Sequence, residues 1–268
     1  MKSVQQTAVL VLVAVFLISL SSPLLAPAQY DHQFREMPNA SPSRQHPLGT
    51  DDLGRDSFSR LLYGSCISLL LAPAAAFLAT VSAALIGGCA GYLGGNWERV
   101  IMSMTDLALS LPWFFLLLTA RALLPLNVSP LISVVLTFAL LGLLGWPASA
   151  RVICAGVHGF KGSDIALQSQ AWGCSRARVL LRHLMPNLKP LLYAQFWISI
   201  PVFILAEANL GMLGLGVSEP LPSWGGLLRD LEDWPAVQAN PWRLAPLFLL
   251  VIVVSCLQVV LPSAEALP

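Results

Sequence analysis

Ser68–Tyr92 reads SLLLAPAAAFLATVSAALIGGCAGY, a stretch without a single charged side chain. A spanning helix needs about 20 mostly apolar residues, because the hydrocarbon core is about 30 Å thick and a helix rises about 1.5 Å per residue. This stretch is long enough. It shows none of the strict alternation of a membrane β-strand, and an open chain can cross lipid only as a helix, which pairs every backbone group internally. Working outward, comparable windows occur at Thr7–Ala26, Val100–Leu118, Leu131–Ala150, Leu191–Gly211 and Leu244–Leu261, each bounded by Pro, Gly or charge. The expected fold is an all-α integral membrane protein with about six transmembrane helices.

Composition agrees. The chain is 56% hydrophobic and only 11% charged, with a mean hydropathy of +0.71, whereas soluble domains run near a quarter charged. A surface so poor in charge cannot be solvated as a water-soluble globule. No basic patch with interleaved aromatics points to nucleic acid. Cys66, Cys89, Cys154, Cys174 and Cys256 are scattered, form no CxxC pair and have no histidine at ligand spacing. They read as small buried apolar groups, with no disulfide and no metal site. His46, His158 and His183 are too widely spaced in sequence to suggest one.

The first window has two readings. Lys2, the apolar run and Ala26-Pro27-Ala28 resemble a secretory signal with a small-residue cleavage site. The proline in that triplet and the length of the run favour an uncleaved signal-anchor. Sidedness follows from Lys and Arg in the loops. Arg151, Lys161, Arg176, Arg178, Arg182 and Lys189 face a lone acid, Asp164, between the fourth and fifth windows, which places that loop in the cytoplasm. The first loop is balanced in charge, and the loop before the last window carries Glu219, Asp230, Glu232 and Asp233 against Arg229, so both are expected outside. Both termini then fall in the cytoplasm.

A loop of about 40 residues in a compact membrane protein demands a role. Ser163-Asp164 can cap one short helix, Gly173-Cys174-Ser175 breaks it, and Ser175 can cap a second that ends at Pro186, Asn187 and Pro190. An amphipathic helix–Gly–helix at a membrane face suits docking into a groove of a soluble partner. The plainer alternative is a basic loop lying on anionic lipid.

Several motifs, in order, resemble the permeases of binding-protein-dependent ABC importers, in the dipeptide/oligopeptide/nickel branch. They are His46 to Asp56 with Ser59-Arg60-Leu61-Leu62-Tyr63-Gly64, and Gly91-Tyr92-Leu93-Gly94-Gly95. Trp146-Pro147 with Arg151 follows, then Asp164 to Asn187 around Gly173, and Glu207-Ala208 through Leu213-Gly214-Leu215-Gly216-Val217 to Pro222-Ser223-Trp224-Gly225. The resemblance covers roughly residues 46 to 250, and several motifs in register are far more specific than one.

It implies a type I ABC importer permease, with an N-terminal helix over 1–27, a periplasmic segment over 28–65, a permease core over 66–262 holding a coupling loop at 151–190, and a tail over 263–268. It further implies a homologous second permease, two ATPase subunits, a substrate-binding protein and a bacterial inner-membrane location. No Gly-x-x-x-x-Gly-Lys-Ser/Thr occurs, so ATP is expected on another chain, with no cofactor and no catalysis here. The residues matching the coupling element are Asp164, Ala171, Trp172, Gly173, Cys174, Ser175, Arg182, His183, Pro186 and Asn187. Leu167-Gln168-Ser169 stands where the family has Glu-Ala-Ala, so an acid facing the ATPase side is missing.

Gly49, Asp51, Gly54, Arg55 and Asp56 form a charged, Gly-punctuated motif before the second window. It serves either as an ordered outer mouth receiving a binding protein or as a local Asx-type turn leading into the helix. Asp106 and Glu207 fall inside windows, where a charge costs about 2.5–3.5 kcal/mol at the bilayer centre, so each needs a partner or the bundle interior. A secondary, ion-coupled transporter would use them as ion sites, but no inverted repeat is evident. The motif around Glu207 favours a structural or gating role there. A membrane-embedded enzyme finds no converging nucleophile and base.

Overall fold

The computed structural model describes residues 2–125, 128–161 and 185–261. Asp164, Ala171, Trp172, Gly173, Cys174, Ser175, Arg182 and His183 lie outside them, whereas Pro186 and Asn187 lie within. The described helices are α1 (Lys2–Leu20), α2 (Ser22–Leu25), α3 (Ser57–Leu93), α4 (Gly95–Ser110), α5 (Trp113–Leu123), α6 (Pro130–Leu144), α7 (Pro147–Lys161), α8 (Met185–Met212), α9 (Trp224–Arg229), α10 (Trp234–Ala239) and α11 (Ala245–Val260). Among the described residues, five helical stretches are long and apolar enough to cross a membrane, or six when the bent pair α4–α5 counts as one.

Each expected window has a helix, but boundaries moved for identifiable reasons. The first span stops at Leu20 and restarts as α2, with Pro23 in the first turn of the new helix. The third is no straight rod: α4 and α5 are bent by 82° at Leu111-Pro112. Leu111 is extended (φ −85°, ψ 134°), as the residue before a proline prefers. α7 carries on through Arg151 to Lys161, residues expected to open the loop, because no proline interrupts them after Pro147 and isolated glycines at 156 and 159 are tolerated within a helix. α8 starts at Met185 rather than Leu191, and Pro186, Asn187 and Pro190 lie in its first turns instead of ending a preceding helix. Pro186, second in the helix, removes an N–H that has no intrahelical acceptor in any case, whereas Pro190, sixth, forgoes the bond to residue 186.

The chain forms two compact units. The first comprises Met1–Ala72, Leu118–Phe138 and Pro201–Leu261. In it α1 packs along α11, while Leu10, Leu17 and Leu20 remain exposed, as suits lipid-facing positions. Its centre is α9, whose Trp224, Leu227 and Leu228 are buried. Ser223 caps α9 by accepting the Gly226 N–H at 3.2 Å.

The second unit comprises the described residues of Pro73–Leu117 and Ala139–Ile200. Ala83, Ala150 and Ile153 form one buried cluster, and Val157 with Leu188 another. α3 meets α7 through Gly87 and Gly91: a Cβ at Gly87 would lie 2.2 Å from the Ala150 carbonyl oxygen, and one at Gly91 2.8 Å from Val157 Cβ. This is the small-xxx-small contact by which membrane helices approach closely.

Candidate functional site

The site is built in the first unit from the segment ahead of α3. That segment folds back on itself through backbone bonds: Phe34 N–H to Gly54 O at 2.9 Å, Thr50 N–H to Ala40 O at 3.1 Å and Asn39 N–H to Asp51 O at 2.9 Å. Gly54 (φ +74°) and Gly49 (φ +67°) make the reversals. A Cβ at either would stand 2.3 Å from a carbonyl oxygen, of Phe34 and Ala40 respectively, so only glycine fits.

Asp51 Oδ1 accepts the Leu53 and Arg55 amides at 3.0 and 2.7 Å, an Asx-type turn. Asp56 Oδ1 accepts the Ser59 N–H at 2.7 Å and caps α3, while its Oδ2 meets His46 Nδ1 at 2.8 Å. The local-turn reading of the motif is therefore realised, and the same residues do more. Asp51 Oδ2 accepts Arg55 Nε at 2.7 Å and Arg60 Nη1 at 2.5 Å. Glu219, more than 150 residues away in sequence, accepts Arg55 Nη1 at 2.5 Å on one oxygen and Arg60 Nη2 at 2.8 Å on the other. The result is a closed ring of two acids and two arginines. Its side-chain exposures are 8% for Asp51, 6% for Arg55, 1% for Arg60 and 54% for Glu219.

Electrostatics follow from that geometry. Burial works against the Asp51 carboxylate, but the Arg55 amide and the Arg60 and Arg55 guanidiniums outweigh it and hold its pKa below the usual range. Burial likewise pulls Arg55 down, and Asp51 and Glu219 more than reverse this. Nearby Asp230 is pushed up to about 6, mainly by burial, with Arg60 opposing and Asp51, Glu219 and Asp52 reinforcing.

Beside the ring lies a polar cavity of about 640 Å³, lined among others by Asp52, Arg55, Arg121, Glu219, Arg229 and Asp230. Both signs of charge meet there. Arg121 is fully buried; its Nη2 donates to Ser133 Oγ at 2.9 Å and to Gly216 O at 3.3 Å. Its Nε and Nη1 have no hydrogen-bond partner among the described residues. Sequence reasoning passed over Arg121, whose signal was a lone cation between two apolar windows.

Glu207 is fully buried on α8. Ser68 Oγ of α3 donates to its Oε2 at 3.4 Å, and the same hydroxyl accepts the Trp224 N–H at 3.3 Å. The Trp224 indole donates to Ser65 Oγ at 2.8 Å. Gly225 and Gly211 press together beside Glu207: a Cβ on Gly211 would lie 2.3 Å from Gly225 Cα, and one on Gly225 2.6 Å from Glu207 O. Glu207 Oε1 itself has no hydrogen-bond partner among the described residues.

In the second unit, Asp106 of α4 pairs with Arg151 of α7 at 3.3 Å, both about half exposed. Asp106 thus has a counter-charge from a residue read as loop. Close by on the same helices, Glu98 Oε1 meets His158 Nε2 at 2.6 Å and Cys154 Sγ at 3.9 Å. The expectation that no cysteine has a histidine at ligand spacing is corrected here. Cys154 and His158 are one helical turn apart and share a face.

Comparison with known proteins gives these features a setting. Residues 68–265 match the family of binding-protein-dependent transport system inner membrane components. The oligopeptide transport system permease protein OppC of Bacillus subtilis is 32% identical over 237 residues, 88% of this chain and 74% of that protein. The dipeptide transport system permease protein DppC of the same organism is 31% identical over 232 residues, 87% of this chain and 70% of the relative. OppC of Escherichia coli is 32% identical over 251 residues, 92% and 80% of the two chains. With a match of this extent, covering all the apolar spans but the first in whole or in part, the chain belongs to the family of inner-membrane components of binding-protein-dependent transport systems.

Proposed function

We propose that this permease forms one half of the translocation path of an ATP-driven importer for di- or oligopeptides. The match over residues 68–265, in a family whose aligned relatives are named oligopeptide and dipeptide permeases, carries the reading. The cavity beside Arg55 and Glu219 is in keeping with it, because a peptide carries a cationic and an anionic end and the lining offers acids and guanidiniums.

In this reading the ring of Asp51, Arg55, Arg60 and Glu219 stands at the periplasmic mouth, where it holds a rigid surface toward a substrate-binding protein. The basic segment around Gly173 lies in the cytoplasm and seats on one of two ATPase subunits, and both termini are cytoplasmic. A second, homologous permease completes the path. The chain itself is non-catalytic and binds no cofactor; ATP is hydrolysed by the partner. An ion-coupled carrier built on Asp106 and Glu207 is disfavoured by the family, and Asp106 is paired with Arg151.

The test is purification of the chain with the proteins made alongside it, followed by vesicle uptake. An ATPase should co-purify, and peptide uptake should require ATP even with a proton gradient intact. Uphill uptake by this polypeptide alone would end the proposal. Sidedness has its own check, since an impermeant thiol reagent outside intact cells should not label Cys174.

A further inference from the structure

We infer that Glu98, Cys154 and His158 form a divalent-metal site of the zinc type that staples α4 to α7. It is the one place among the described residues where three potential ligand side chains of His, Cys, Asp or Glu converge, with their ligand atoms all within 4.8 Å of one another. The donors are an imidazole nitrogen, a carboxylate oxygen and a sulfur. Such a mixed set suits a borderline-soft ion such as Zn²⁺ or Co²⁺, whereas Mg²⁺ and Ca²⁺ demand oxygen shells.

Two of the three ligand pairs need little adjustment, and the third, Cys154 with His158, lies within 4.8 Å. Tetrahedral Zn²⁺, with bonds of about 2.0–2.3 Å, separates its ligand atoms by roughly 3.3–3.7 Å. Glu98 Oε1 and His158 Nε2 are 2.6 Å apart, a hydrogen-bond distance. An ion in place of the shared proton asks them to part by less than about 1 Å. Cys154 Sγ at 3.9 Å from the same oxygen needs to close by only a few tenths. Cys154 and His158 project from one face of α7, and Glu98 sits in the first turn of α4, so ligation crosses a helix–helix contact.

Access and charge also agree. The thiol is buried at the floor, and the carboxylate and imidazole are open enough to admit an ion. A thiolate and a carboxylate together balance a dication, and a fourth position remains for water. Binding releases the thiol proton to solvent, the proton shared by His158 Nε2 and Glu98 is given up to solvent or to Nδ1 of the same ring, and no oxidation state changes. The competing description is an ordinary Glu98–His158 ion pair over an inert thiol, and the following measurement separates the two.

The full permease, purified with its partner chains and stripped by chelator, is titrated with Co²⁺. The expected result is one ion per copy of this chain, a near-ultraviolet thiolate-to-Co²⁺ charge-transfer band, and displacement by Zn²⁺. C154S should remove the band. H158Q, at a more exposed position, should weaken binding by more than the roughly 10- to 100-fold lost with an outer hydrogen-bond partner. A variant keeping Cys154 but lacking the other four cysteines should retain the band. Absence of stoichiometric binding, or a band that survives C154S, overturns the site. If C154S fails to fold, H158Q and the Cys154-only variant still decide it.

Discussion

Replacing Asp51 by asparagine tests whether the ring at the candidate site is a structural unit. Asp51 accepts two backbone amides on Oδ1 and two guanidinium nitrogens on Oδ2. Asparagine keeps the first pair but turns an amide donor toward Arg55 and Arg60, two cations almost withdrawn from water. Removing one partner of a buried pair costs about 3–5 kcal/mol, because an uncompensated charge stays behind. Glu219 touches the same two arginines, yet its side chain is 54% exposed. Water can replace it, and Glu219→Gln should cost only about 1 kcal/mol or less. The two substitutions therefore differ by at least about 2 kcal/mol, a large share of the roughly 5–15 kcal/mol available to a folded domain. Tryptophan-monitored unfolding of the purified complex in mixed micelles measures both. Equal losses from Asp51→Asn and Glu219→Gln would refute the claim that burial, not mere contact, sets the strength of the ring. The pH dependence has a definite sign. Because the folded pKa of Asp51 is depressed, its contribution is complete above the unfolded value near 3.9 and is lost as pH falls through the lower folded value.

Asp230 should act in the opposite sense. Its folded pKa of about 6 exceeds the unfolded value, so acidification from about pH 6 to pH 4 should stabilise the fold, and Asp230→Asn should flatten that slope in a pH series of melts. Arg121→Met should change stability by no more than about 1 kcal/mol, since only Nη2 is bonded and an apolar replacement of a sparsely partnered buried charge is often neutral; a loss matching Asp51→Asn would contradict this. Gly211→Ala should melt well below wild type, because its methyl meets backbone at 2.3 Å, and an unchanged melt would show that α9 can shift. Gly173→Val should leave insertion intact but uncouple ATP hydrolysis from uptake in vesicles, and normal uptake would remove the reason for placing the coupling point there.

The spans were legible because twenty apolar residues in a row have few other fates. The bend at Leu111-Pro112 was written in the proline, yet the continuous hydrophobicity on both sides hid it. The motif from Gly49 to Asp56 was recognised, but half of its meaning depends on Glu219, far along the chain, and no local pattern reveals such a pairing. Arg151 reads as loop because its charge marks the end of an apolar window, although its helix runs on and brings it to Asp106. Cys154 and His158 match no cysteine-histidine motif, yet one helical turn is itself a ligand spacing. The basic segment at 162–184 lies outside the described residues.

The paired glycines at 211 and 225 carry a consequence for how this protein can vary. Each fills the room that the other's side chain would need, and glycine cannot shrink to make way for a larger neighbour. A change at one position therefore has no rescuing change at the other. Drift is closed off from both sides at once, and Glu207 beneath them inherits that immobility.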